Sequence, residues 1–164
     1  MDIEPPSLIL ANVLESGHFL SVLVLLILLV CSALISGAEI AFFSLKSSDF
    51  EQESSEKEPS GNLRIVKNLL DKPKKLLATI LVANNFINIA IVLLFASFSD
   101  TMFSGVSVNY FGFNLRFILE VGIVTLVILL FGEILPKVYA SRNNIHFSLF
   151  MALPLNFLNF LLTP

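Results

Sequence analysis

Two stretches of this chain are too apolar, and too free of charge, to form a helix that stays in water. Phe19 to Ala38 and Leu76 to Ser99 contain no Asp, Glu, Lys or Arg, and each reaches the roughly 20 apolar residues that a bilayer crossing requires. A third run, Phe117 to Leu135, is equally aliphatic apart from Glu120 and Glu133. In lipid every backbone N–H and C=O must be satisfied within the protein, so runs of this length fold as helices. The expected fold is an all-α membrane protein with three transmembrane helices, spanning about 19–45, 76–99 and 117–137, in one domain over 1–164. At 55% hydrophobic and 14% charged residues, the composition departs from that of soluble domains in the same direction.

Charge distribution gives the orientation. Lys46, Lys57, Arg64, Lys67, Lys72, Lys74 and Lys75 lie between the first two runs, Lys137 and Arg142 follow the third, and only Arg116 falls on the opposite side. Basic loops stay inside, so the N-terminus is expected outside and the protein in the cell's inner membrane. The first 18 residues hold Asp2, Glu4 and Glu15 but no Lys or Arg, unlike the basic start of a cleaved leader. No basic stripe points to nucleic acid. Cys31 is the only cysteine and has no intrachain partner for a disulfide.

Shorter segments surround these runs. Residues 47–62, SSDFEQESSEKEPSGN, read as a solvated cytoplasmic loop. Residues 62–72 place Leu63, Val66, Leu69 and Leu70 opposite Arg64, Lys67 and Asp71, the pattern of an amphipathic juxtamembrane helix at the inner interface. The last segment, about 145–163, is uncharged from Phe147 but interrupted by Pro154, Asn156 and Asn159. It suits either a fourth span or a bent helix on the inner surface. The chain stops at Pro164 without a polar tail, and a cytoplasmic portion is expected beyond it.

Chemistry concentrates in FGEILPK, 131–137. Pro136 has no N–H, which leaves the carbonyl of Gly132 without its helical partner. Beside it, the Glu133 carboxylate is an ionisable group within a span, and such groups mark ion paths or proton relays. A hard cation would satisfy both. Counted from inner ends at Leu45 and Leu76, Ser36 and Asn84 lie at matching depth, roughly 12–14 Å in. Ser32, Ser36 and Glu39 share one face of the first helix, and Asn84 and Asn88 share one face of the second. This donor set is all oxygen, which suits Mg²⁺, Ca²⁺ or Na⁺ rather than zinc or copper. Ser32, Thr79 and Asn85 equally suit plain helix–helix contacts. Glu39 suits an ion pair with Lys46, and Glu120 suits an i, i+4 pair with Arg116. His18 and His146 sit at span edges, where an interfacial role is expected.

SGAE at 36–39, NNFIN at 84–88 and FGEILPK at 131–137 together resemble the three signature segments of the CorC/CNNM (cyclin M) transmembrane domain, one on each span. The acidic N-terminus running into CSALISGAEIAFFSL resembles the gliding-motility-associated GldE branch. The resemblance implies a homodimeric Mg²⁺ transporter domain, with Na⁺-coupled export as the proposed activity. It also implies cytoplasmic CBS domains that bind ATP, lying beyond Pro164, and makes 145–163 a juxtamembrane helix. Carried over by motif, the metal ligands are Ser36, Asn84, Asn88, Gly132 and Glu133; the helix break at Gly132 and Pro136 is the expected hinge. Ser32, Glu39, Thr79 and Asn85 are second-rank candidates for the ion path or its support. One departure is Ala83, where the family often has glycine before the first asparagine.

The reading expected is a largely dehydrated Mg²⁺ held between three helices and reached from the cytoplasm. Two other classes stay open: a membrane scaffold in a secretion or motility complex, and a proton-coupled carrier using Glu133. No nucleophile–base constellation or cofactor motif appears in the sequence, so an enzyme is not expected.

Overall fold

The computed structural model describes residues 19–56, 61–102, 109–110 and 113–162. Seven α-helices and one π-helical segment account for nearly all of them. Helix α1 is Phe19–Phe43, α2 Ser47–Glu56, α3 Gly61–Leu70 and α4 Pro73–Met102. A two-residue antiparallel pair follows, β1 (Asn109–Tyr110) with β2 (Phe113–Asn114). The chain then continues through α5 (Leu115–Val127), a π-helix (Ile128–Ile134), α6 (Leu135–Arg142) and α7 (Asn144–Leu161). The acidic N-terminal segment, His18 and the expected Arg116–Glu120 pair lie outside the described residues and side chains.

Four helical stretches are long and apolar enough to cross a membrane: Phe19–Phe43, Pro73–Ser97, Ile118–Arg142 and Asn144–Leu161. Large apolar side chains cover the outside of the bundle, with Phe86 74% and Phe160 82% exposed. Water would penalise such a surface and lipid does not, so this is a multi-pass membrane protein. The fourth stretch was the segment left open between a span and a surface helix. It carries Pro154 inside α7, and it packs against α1, α3 and α4.

Helix α1 is the centre of the molecule, in contact with α4, the π-helix, α6 and α7. Its half toward Phe43 is the buried one. Ile35, Ala38 and Phe42 pack there with Val66 and Leu69 of α3, Leu76 and Ile80 of α4, and Met151 and Leu155 of α7. Gly37 brings α1 close to its neighbours: a Cβ there would lie 2.7 Å from the Phe147 ring and 3.4 Å from the Pro136 carbonyl oxygen. Toward Phe19 the buried apolar cluster among the described residues is Ile91, Val124 and Ile128.

One expectation fails in the first connection. Residues 47–56 form a helix rather than a loop, because tertiary anchors outweigh its polar composition. The Asp49 carboxylate accepts the Lys46 backbone N–H at 2.9 Å, closing the helix start in the manner of a capping box. Asn144 at the head of α7 donates to that carboxylate and to the Ser44 carbonyl, both at 3.3 Å. Phe50 packs on the main core, with the Lys67 ammonium 5.4 Å above its ring.

Candidate cation site

The third span does not break at Pro136. It widens before it. Over Ile128–Ile134 the backbone is π-helical, and the Leu135 N–H bonds the Leu130 carbonyl five residues back. Return to four-residue spacing therefore falls at Pro136, which has no N–H to give to either Phe131 or Gly132. A seven-residue π segment is rare and recurs at functional sites. Here it carries Gly132 and Glu133.

Side chains from three spans converge on this widened turn. The Ser32 hydroxyl, fully buried on α1, lies 2.8 Å from Asn88 Oδ1 and 3.3 Å from Asn84 Oδ1. Asn88 Nδ2 donates to Glu133 Oε1 at 3.2 Å, which fixes the Asn88 amide with its oxygen toward Ser32. A hydroxyl has one proton, so Ser32 can donate to only one of the two amide oxygens. What remains is a cluster of electron-rich oxygens with one carboxylate beside it. Among the described residues Glu133 has no cationic partner, and Asn88 is its hydrogen-bond donor. Gly132 is what allows the approach, since a Cβ there would lie 3.0 Å from Ser32 Oγ.

Oxygens about 2.1 Å from an octahedral Mg²⁺ sit about 3 Å apart along each edge, a spacing that ordinary hydrogen bonds such as those of 2.8 and 3.3 Å here also give. Hydroxyl, amide and carboxylate oxygens suit a hard cation. Among the described residues no three His, Cys, Asp or Glu side chains come together.

The structure sorts the sequence-predicted residues by place. Ser32, Asn84, Asn88, Gly132 and Glu133 come together. Ser36 lies one turn from Ser32 toward Phe43, 1% exposed, and its hydroxyl has no hydrogen-bond partner among the described residues. Sequence depth matched Ser36 with Asn84 because the helix ends were set at Leu45 and Leu76. Measured from the ends at Phe43 and Pro73, Ser32 and Asn84 are each 11 residues in (43 − 32 and 84 − 73). Ser32 is thus the serine that meets the asparagines.

The remaining candidates do other things. Glu39 pairs with Lys137 at 3.1 Å, not with Lys46. Thr79 is buried and its hydroxyl lies 3.2 Å from Asn159 Oδ1, fastening α4 to α7. Asn85 is exposed and makes no contact in the cluster among the hydrogen bonds of the described residues. Pro136 opens α6. Sequence reading missed Lys137 as the partner of Glu39, although its place one turn after Glu133 was a usable signal. The buried, unpartnered Ser148 hydroxyl had no such signal.

Comparison with known proteins bears on the family of the chain. Residues 23–164 match the model of the cyclin M transmembrane N-terminal domain. The chain is 30% identical over 139 residues to the UPF0053 protein sll1254 of Synechocystis sp., covering 84% of this chain and 37% of that protein. It is 28% identical over 121 residues to a UPF0053 protein of Haemophilus influenzae, covering 74% of this chain and 26% of that protein. The chain thus corresponds to well under half the length of either relative.

Proposed function

The chain belongs to the cyclin M transmembrane family, and from that premise we propose that it is the ion-translocating part of a Mg²⁺ transporter, with Na⁺ as the coupling ion for export. The observation that carries this reading is the convergence of Ser32, Asn84, Asn88 and Glu133 oxygens from three helices around a widened turn. Mg²⁺ is the cargo. It gives up hydration reluctantly, so a site that strips it must offer fixed oxygens at the spacing its waters had and a charge to offset their loss. Glu133 supplies the charge, and Ser32, Asn84 and Asn88 supply neutral oxygens already held together. Gly132 lets the layers touch, and its carbonyl adds a donor once Pro136 has removed its partner.

In this reading the Phe43 end of α1, where the basic residues gather, faces the cytoplasm, and α7 is a juxtamembrane helix leading to cytoplasmic domains. The protein works as a homodimer in the inner membrane. Release to the far side requires the π-helix to change register, which moves Glu133 relative to Asn88 and dismantles the oxygen cluster.

Flux measurement tests the assignment. Proteoliposomes loaded with a Mg²⁺-sensitive dye should show Mg²⁺ movement that responds to an imposed Na⁺ gradient and disappears in Glu133→Gln. Movement that follows a pH gradient and ignores Mg²⁺ would instead make Glu133 a proton relay.

A further inference from the structure

A second carboxylate lies on the route between the cluster and the Phe43 end. Glu39 follows Ser32 and Ser36 at i, i+4, i+7 on one face of α1. Lys137 follows Glu133 by one turn on the facing span. Three layers therefore run from the cluster toward that end: Ser32 with the asparagines and Glu133, then the buried Ser36 hydroxyl, then the Glu39–Lys137 pair at 3.1 Å. The pair ties α1, which carries Ser32, to α6, which continues directly from the π-helix that carries Glu133. Its side chains are 27% and 36% exposed, so it stands where solvent begins.

Stability alone does not account for this pair. Ion pairs exposed to this degree contribute little to folding and open readily. Helix α1 and the third span are already held by Gly37 against the Pro136 carbonyl and by Gly132 against Ser32. What the pair does control is charge. It sets an ammonium on the Glu39 carboxylate, which among the described residues of this face lies one turn beyond Ser36 toward the Phe43 end.

We propose that Glu39 is a transient site for a divalent cation at the inner mouth, and that Lys137 is its tethered competitor, so that exchange of ammonium for the incoming ion opens the way to Ser36 and the main site. The proposal rests on the cation-site reading above and extends it to selection at the mouth. At equal distance a divalent ion is attracted to the carboxylate twice as strongly as a monovalent one. At this solvent-exposed pair the divalent ion keeps its waters, and its double charge lets Mg²⁺ or Ca²⁺ displace the ammonium at concentrations where Na⁺ or K⁺ does not. The unpartnered Ser36 hydroxyl is the next oxygen on the path.

Reactivity at position 36 reads the gate directly. With Cys31→Ser as background, Ser36→Cys in bilayer nanodiscs is treated with a charged, water-soluble thiosulfonate, with Lys137 intact or as Lys137→Met. Loss of the ammonium should raise the modification rate about two- to fivefold, as expected for removing a weak pair. Millimolar Mg²⁺ should raise it when Lys137 is present, and K⁺ at equal ionic strength should not. The swap Glu39→Lys with Lys137→Glu should restore slow modification, an outcome that loss of one side chain's packing does not predict. Equal rates with and without Lys137, or acceleration by K⁺ equal to that by Mg²⁺, would overturn the proposal.

If Ser36→Cys does not fold, the same comparison is made on the rate at which bound Mg²⁺ escapes into a chelating indicator. Failure of the main site is separable: it appears as no Mg²⁺ binding to the unaltered protein. Failure of the gate appears as intact binding with an indifferent mouth.

Discussion

Toward Phe43, α1 is buried without a break from Ile35 to Ala38 and again at Ala41 and Phe42, wrapped by α3, α4 and α7. Toward Phe19, Leu20, Leu23, Leu26, Ile27 and Val30 of the same helix are exposed. One half packs like the interior of a soluble protein. The other presents apolar side chains outward and relies on lipid. The oxygen cluster sits where the halves meet, next to the packed core on one side and, among the described residues, to the smaller buried set of Ile91, Val124 and Ile128 on the other. Under the proposed function, that placement would let the packed half keep Ser32 and Ser36 in place while the π-helix rearranges.

Truncations should separate the halves most sharply. Phe42→Ala or Leu155→Ala removes a side chain at the centre of the packed half and should cost about 2–4 kcal/mol, whereas Leu26→Ala on the lipid-facing half should stay within about 0.5 kcal/mol. Chemical unfolding in detergent micelles measures both, and equal losses would erase the distinction. Gly132→Ala acts at the junction. The new methyl must displace the Ser32 hydroxyl, while helix propensity gains about 1 kcal/mol over glycine. Mg²⁺ affinity should therefore fall about tenfold, close to 1.4 kcal/mol, with melting nearly unchanged, and a shift in melting alone would place Gly132 in packing rather than in the site. Smallest of all, Thr79→Val removes a single interhelical contact to Asn159 and should cost about 0.6 kcal/mol, the usual worth of such a bond in a membrane protein. A loss several times larger would mean that α7 is held chiefly by this polar contact.

Much of this architecture was legible in the sequence because lipid imposes a simple rule. Charge-free runs of sufficient length fold as helices, and Glu133 beside Gly132 and Pro136 stood out as an ion-path candidate. Relative depth was harder to read. Placing the helix ends two or three residues off paired Asn84 with Ser36, while the structure seats Asn84 beside Ser32. The π-helix was foreshadowed by Pro136 only as a break, since a local rule names the missing bond and says nothing of how neighbouring turns redistribute. Residues 47–56 looked like a loop because polar composition dominates local propensity, and their helix depends on Asn144, nearly 100 residues away in sequence. Contacts of that kind, like the Glu39–Lys137 pair, belong to the packing and have no short-range signature.

Titration calorimetry on the purified protein, with Glu133→Gln beside the unaltered chain and with Ca²⁺ and Na⁺ as competitors, tests the central claim most directly. The oxygen cluster predicts saturable Mg²⁺ binding that the single charge-neutralising substitution abolishes while helicity and monodispersity are retained. Mg²⁺ affinity unchanged in Glu133→Gln would contradict it and place the ion elsewhere in the chain.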